Sequence, residues 1–315
     1  MPIKVAQGLP AIEQLMDEGV NVIREKQALK QDIRPLRIAI LNLMPLKETT
    51  EMQFLRLIGG SPLQIEVDFL HTQTYKSKNV SSNHLEQFYK TFEEIEDSFY
   101  DGLIITGAPV EQIAFEEVDY YDELIKILKW SETNVYSRFF ICWAAQVSLN
   151  YYYGIEREHL PKKLFGIYSY PLKNPNSPYL RGFDDAYSIP VSRHTTMNET
   201  QIEAEQDLVI LSKRPDFGPD LVGSVDARDL FIFGHLEYSR YTLELEYQRD
   251  KEKGLAIQIP KNYYPEDDYT SKPIVSWRSH AYILFNNWLN ETYQNTRYDL
   301  TQLKEIDKRV VRSQK

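Results

Sequence analysis

A single cysteine, Cys142, occurs in 315 residues, so no internal disulfide can form and no Cys-x-x-Cys motif exists. Long apolar runs are missing too: none approaches the roughly 20 residues that span a bilayer. The opening M-P-I-K-V-A-Q-G-L-P-A-I-E has no apolar block followed by a small-residue cleavage site, so no signal peptide is expected. A lone thiol without a leader points to the cytoplasm, where it stays reduced. Clusters of Lys and Arg are absent, and 36 Lys+Arg against 46 Asp+Glu leave a net charge of −10. That balance argues against nucleic acid as a partner, and any anionic ligand needs a local basic spot against the average field. The six histidines show no H-E-x-x-H or H-x-x-x-H spacing, so no metal is expected. Neither G-x-x-x-x-G-K-[ST] nor G-x-G-x-x-G occurs.

What remains is a chain rich in core-forming residues, 42% hydrophobic with 22 Tyr and 14 Phe. It has no internal repeat and no Gly/Ser linker, so one continuous α/β domain over 35–296 is expected. An N-terminal arm, 1–34, with a short helix around 11–30, precedes it. A charged tail helix within 297–315 follows. Residues 37–43, 63–70, 102–106 and 138–141 read as strands. Between them, 48–58 and 120–130 carry helical patterns, the latter with Leu124, Ile127 and Leu128 on one face. Strand alternating with helix predicts a mostly parallel sheet covered on both sides, with ligands at the carboxyl ends of its strands. Residues 106–112 and Cys142 fall at such ends. The later half is less regular: strands over 164–172, 184–192, 208–211 and 230–233, helices over 238–253 and 280–293, and loop from 254 to 273.

The F-F-I-C-W-A-A-Q stretch at 139–146 by itself fits a core cysteine as well as a nucleophile at a strand end. The G-H-L-E stretch at 234–237 tips the balance, because residues two apart on an extended segment point the same way. Glu237 can then fix the tautomer of His235 and stabilise its cation. An imidazole beside Cys142 makes the thiol a usable nucleophile. A turn from strand into helix at Cys142 directs helix N–H groups at the sulfur. The Trp143 N–H is then a natural oxyanion donor, with Gly107 or Ala108 as a second; Pro109 has no N–H to give.

Several further motifs extend this pattern. They are M-P-I-K-V at 1–5, L-R-I-A-I-L-N-L-M-P at 36–45, T-G-A-P at 106–109 and I-C-W-A-A-Q at 141–146. P-K-K-L-F-G at 161–166, S-R-H-T at 192–195 and G-H-L-E-Y at 234–238 complete the set. Together, over nearly the whole chain, they resemble the homoserine O-acyltransferase family of methionine biosynthesis, whose fold is similar to that of the class I glutamine amidotransferases, with a flavodoxin-like core. The amidotransferase nucleophile usually has glycine two residues before and two after it, where this chain has Phe140 and Ala144. That departure counts against glutaminase activity.

The resemblance implies Cys142 as the nucleophile that takes the acyl group from acyl-CoA, His235 as general base and Glu237 as its orienter. It implies Lys163, Ser192 and Arg249 as substrate-holding residues, with Arg249 pairing the homoserine carboxylate. Taken alone, Lys163 reads as a solvated lysine beside Lys162, Ser192 as a loop hydroxyl, and Arg249 as an ion-pair partner of Glu246 at i, i+3. Glu111 matches the family position linked to donor choice, glutamate going with acetyl and glycine with succinyl. A carboxylate there repels the succinyl carboxylate. The expectation is acetyl transfer from acetyl-CoA to L-homoserine by a ping-pong route, in a homodimer, with no cofactor besides the acyl-CoA co-substrate. Succinyl transfer, a glutamine amidotransferase-like cysteine hydrolase and a non-enzymatic binding module are the competing readings.

Overall fold

The computed structural model describes residues 3–4, 9–17, 22–23, 34–74 and 81–303. Its main sheet has ten strands: β1 (Ile3–Lys4), β2 (Val22–Ile23), β3 (Leu36–Leu41), β4 (Ile65–Leu70), β5 (Tyr89–Lys90), β6 (Tyr100–Ile105), β7 (Val135–Ile141), β10 (Leu208–Arg214), β11 (Gly218–Ser224) and β12 (Asp229–Ile232). The order runs β10-β11-β12-β7-β6-β3-β4-β1-β2, with β5 also on β4. All pairings are parallel except β10–β11 and β11–β12. The remaining strands, β8 (Arg157–Pro171) and β9 (Ala186–Met197), form a separate antiparallel pair.

The apolar runs that lacked alternation are buried on both faces. In β3, Leu36, Ile38 and Ile40 enter one core while Ala39 and Leu41 enter the other. In β7, Phe139 and Ile141 divide from Val135 and Phe140 in the same way. The first face is covered by helices Lys47–Ile58 and Arg278–Asn295, through Phe54, Leu55, Leu284 and Trp288. The second is covered by helices Tyr121–Asn134 and Trp143–Tyr153, through Leu124, Ile127, Leu128 and Val147. Period-two strands thus feed two hydrophobic layers, the arrangement that makes a parallel sheet stable.

β7 and β12 are adjacent, with Ile141 opposite Ile232, which sets the residues after each strand side by side. A buried ion pair fastens the two strands at their other end. Arg138 Nε and Nη2 donate to the Asp229 carboxylate at 2.7 and 2.6 Å, and Nη1 donates to the Tyr152 hydroxyl at 2.9 Å.

One expectation needs correction, and one strand went unread. The described part of the N-terminal helix is Ala11–Asp17, and Val22–Ile23 is a strand, so the helix does not run on to 30; residues 18–21 lie outside the described set, and β1 pairs with β4, so this segment contributes to the main sheet. Residues 24–33 lie outside the described set. β11 went unread because Gly218, Pro219 and Gly223 weaken any strand pattern. The expected tail helix falls mainly on 304–315, which lie outside the described residues; before them stands a 3-10 turn, Leu300–Gln302. No helix among the described residues is long and apolar enough to cross a membrane.

Candidate active site

Cys142 sits between β7 and helix Trp143–Tyr153 with φ 51° and ψ −114°. Non-glycine residues avoid this conformation at a cost of about 1–3 kcal/mol, and such outliers collect at functional sites. The Cys142 N–H donates to the Ile232 carbonyl at 2.7 Å, so β12 helps hold the turn. Its thiol is only 3% exposed but lines a cavity of about 80 Å³. The N-terminal N–H groups of the following helix favour negative charge on the sulfur.

His235 follows β12 and its N–H donates to the Pro190 carbonyl in β9 at 2.8 Å. Its Nδ1 donates to Glu237 Oε1 at 2.7 Å, which leaves Nε2 for Cys142. Its ring stacks on Tyr238, centroids 4.1 Å apart and nearly parallel. Burial opposes charge on the imidazole. The Glu237 carboxylate and the hydrogen-bonded Cys142 sulfur outweigh that, and His235 is raised well above its ordinary value.

Gly107 completes this corner. A Cβ there would lie 3.2 Å from both Cys142 Cβ and His235 Cε1, so glycine lets the loop after β6 press against the pair. The Leu43 N–H donates to Thr106 Oγ1 at 2.8 Å, and Thr106 Oγ1 donates to the Gly107 carbonyl at 3.0 Å. That turns the trans Gly107–Ala108 peptide so that the Ala108 N–H points away from Thr106. The backbone N–H groups of Gly107, Ala108 and Trp143 have no backbone acceptor among the described residues.

The opposite wall comes from the β8–β9 pair and helix Thr242–Glu252. Lys163 occupies the irregular stretch of β8 where pairing with β9 shifts register, and its side chain is 17% exposed rather than solvated. Arg249 pairs with Asp250 at 2.7 Å and not with Glu246, the partner that helical spacing alone offers. Lys163 Nζ reaches the other Asp250 oxygen at 3.3 Å, so one carboxylate holds both cations.

Glu246 instead accepts hydrogen bonds from Ser192 Oγ at 2.6 Å and the Tyr238 hydroxyl at 2.7 Å. Ser192 is therefore tied to a carboxylate, and Glu246 and Asp250 are residues that sequence reasoning missed. Glu246 offered one signal, its position one helical turn before Arg249.

Glu111, in the loop after β6, faces the same cavity. Burial pushes its carboxyl up to about 7, against the opposing pull of Lys163 and a hydrogen bond from the His194 backbone. A second buried cluster lies outside the cavity lining. Lys47, pushed down to about 8 chiefly by burial, contacts the Asn42 carbonyl, and Glu51 receives hydrogen bonds from Tyr89 and His84. Among the described residues no group of three or more His, Cys, Asp or Glu is placed to hold a metal ion.

Fold and site together define the class: an α/β protein of class I glutamine amidotransferase-like architecture, with Cys, His and Glu gathered at the strand ends. A glutamine amidotransferase from Thermotoga maritima superposes with a TM-score of 0.56 at 10% identity, over 84% of this chain and all of its own. A glutamine amido transferase from Methylobacillus flagellatus gives 0.53 at 10% identity, over 85% of this chain and 99% of its own. At that identity the likeness concerns the fold alone.

Within that class, the family model for homoserine O-succinyltransferase matches residues 2–298, and the chain belongs to that family. It is 52% identical over 305 residues to a homoserine O-acetyltransferase of Acetivibrio thermocellus, covering 96% of this chain and all of the relative. A homoserine O-acetyltransferase of Lachnoclostridium phytofermentans is 52% identical over 301 residues, with 95% and 100% coverage.

Proposed function

We propose that the protein transfers the acetyl group of acetyl-CoA to the hydroxyl of L-homoserine through a thioester on Cys142, the first committed step of methionine biosynthesis. The observation that carries the reading is the Cys142–His235–Glu237 arrangement facing a cavity that also holds Glu111. Both acetyltransferase relatives match this chain over at least 95% of its length.

In the first half-reaction the Cys142 thiolate attacks the donor carbonyl, and the coenzyme A thiolate leaves with the proton of the His235 imidazolium. The N–H groups of Trp143 and Gly107 or Ala108 receive the transient oxyanion. In the second, the homoserine hydroxyl gives its proton to His235 as its oxygen attacks the acyl-enzyme, and Cys142 leaves as thiolate. Splitting the transfer this way is covalent catalysis, and it predicts ping-pong kinetics. Glu237 keeps Nδ1 protonated and the ring in place throughout. No cofactor beyond acyl-CoA is required.

Homoserine carries a carboxylate and an ammonium, and the cavity offers both complements. Lys163 and Arg249 suit the carboxylate, since each keeps donors beyond its contact with Asp250. Glu246 suits the ammonium, because each of its oxygens retains a lone pair after the bonds to Ser192 and Tyr238. Glu111 sets the donor. Its surroundings already hold one carboxyl up to about 7, and a succinyl group would bring a second carboxylate into that space.

The decisive experiment weighs the intact protein after mixing with acetyl-CoA or succinyl-CoA without homoserine. One acetyl group gained by the parent and none by Cys142→Ser supports the reading; preferential succinylation overturns the donor assignment. Cytoplasmic placement and a homodimer belong to the same proposal. A single cysteine with no disulfide framework suits the first. Tyr241 and Leu245, exposed one helical turn apart, support the second, and native mass checks it.

A further inference from the structure

Beyond Lys163 the catalytic cavity gives way to a much larger groove of about 690 Å³, within the range of about 300–1,000 Å³ usual for small-molecule sites. Lys163 lines both spaces, and Gln112, next to Glu111, lies at their junction. One wall is β8, through Leu160, Leu164 and Phe165; the facing wall is the loop 255–259, through Leu255, Ile257 and Ile259.

The loop is fastened where it meets the strand. The Ile167 N–H donates to the Lys261 carbonyl at 2.8 Å, and the Lys261 N–H donates to the Phe165 carbonyl at 3.0 Å. A Cβ on Gly166 would fall 2.3 Å from Lys261 O, so only glycine allows the two backbones to touch there. Farther along, Phe217 stands edge-on to Tyr168, ring centroids 5.2 Å apart.

The charges divide in a useful way. The two carboxylates of the groove are already matched, Asp250 by Arg249 and Lys163, Asp216 by Arg214 at 2.8 Å. Lys162 and Lys261 are exposed and make no side-chain hydrogen bond or ion pair among the described residues. In a chain of net charge −10, two such cations flanking an apolar trough are the local basic spot that an anionic ligand requires.

We propose that this groove receives the coenzyme A arm of the acyl donor, an inference that rests on the acyltransfer reading above. The pantetheine chain, with its methylene and gem-dimethyl groups against the apolar walls, lies between β8 and the loop 255–259 and delivers its thioester past Lys163 to Cys142. The phosphates meet Lys162 and Lys261, and the adenine meets the Phe217 ring.

The test uses the full chain, free coenzyme A, and two donors: acetyl-CoA and the short thioester S-acetyl-N-acetylcysteamine, which lacks the nucleotide and most of the arm. The variants are Lys162→Glu, Lys261→Glu and Ala256→Trp, the last filling the trough without changing charge. Each charge reversal is expected to weaken calorimetric binding of free coenzyme A about tenfold, the order for a lost charged hydrogen bond. The preference for acetyl-CoA over the short thioester, read as a ratio of kcat/KM values, should fall by a similar factor.

Unchanged coenzyme A affinity in all three variants overturns the proposal, as does an equal loss with both donors. If the parent binds coenzyme A through these residues yet acylates from neither donor, the groove stands and the acyltransfer reading falls. If the parent acylates normally and the variants keep its donor ratio, the groove falls alone.

Discussion

Ser192 donates its hydroxyl to the Glu246 carboxylate at 2.6 Å, across the gap between β9 and helix Thr242–Glu252. With the Tyr238 hydroxyl on the other oxygen, the carboxylate is held rigid at the edge of the cavity. On the proposed reading, the groups that would meet homoserine are themselves held by neighbours: Ser192 and Tyr238 hold Glu246, and Asp250 holds Lys163 and Arg249.

Glu246→Gln keeps the shape of the side chain and removes the charge offered to an ammonium. The homoserine KM should rise about 10- to 100-fold, the worth of a hydrogen bond to a charged group. Acetylation of Cys142 without homoserine should proceed at close to the parent rate, since that half-reaction does not use the acceptor. Single-turnover mass spectrometry separates the two. Slowed acetylation with an unchanged homoserine KM would remove Glu246 from acceptor binding.

Glu111→Gly should shift donor choice toward succinyl-CoA, measured as the ratio of kcat/KM values for the two donors. Glu111→Gln tests the electrostatics apart from size. Because the folded protein holds this carboxyl at about 7 against an ordinary 4.5, it binds the proton more tightly than the unfolded chain does. The parent therefore loses stability relative to Glu111→Gln as pH rises from about 4.5 through about 7, and the gap stays open above that. Melting temperatures across pH 4–9 read it directly, and equal slopes for the two proteins would contradict the burial argument.

The central sheet was legible because its strands are apolar on both faces, and Ile38, Phe140 and Phe231 leave little choice of environment. The motifs placed Cys142 and His235 at strand ends, and the pairing of β7 with β12 makes those ends neighbours. The supporting carboxylates were not legible in the same way. Asp250 and Glu246 sit on a charged helix whose exposed face hides which residues turn inward. β11 was invisible because Gly218, Pro219 and Gly223 blur its pattern, although its partners are its sequence neighbours β10 and β12. The short β1 and the bridge of Lys261 to Gly166 were invisible because their pairing depends on distant partners rather than on local pattern.

Gly107→Ala places a methyl 3.2 Å from both Cys142 Cβ and His235 Cε1. That is tighter than ordinary contact, so the pair must move by a few tenths of an ångström. Backbone conformation is not the obstacle, since Gly107 is not at positive φ. Activity should fall by roughly 100-fold, as small displacements of reacting groups do, while the melting temperature changes little. A crystal structure of the variant should show the sulfur and imidazole farther apart; full activity would show that the corner has slack.

Asp229 and Arg138 test whether the site depends on the far end of the same two strands. Both side chains are buried, at 0% and 3% exposure, and their double hydrogen bond ties β12 to β7. Asp229→Ala strands the guanidinium in the core and should cost about 3–5 kcal/mol of stability, seen in urea unfolding. The double variant Arg138→Met/Asp229→Leu removes both charges and fills similar volume, so it should recover most of that loss. Because the register of β7 on β12 sets Cys142 beside His235, the recovered variant should also recover acylation of Cys142. Stability restored without acylation would mean that the ion pair, rather than the hydrophobic packing around it, sets the alignment of the two strands.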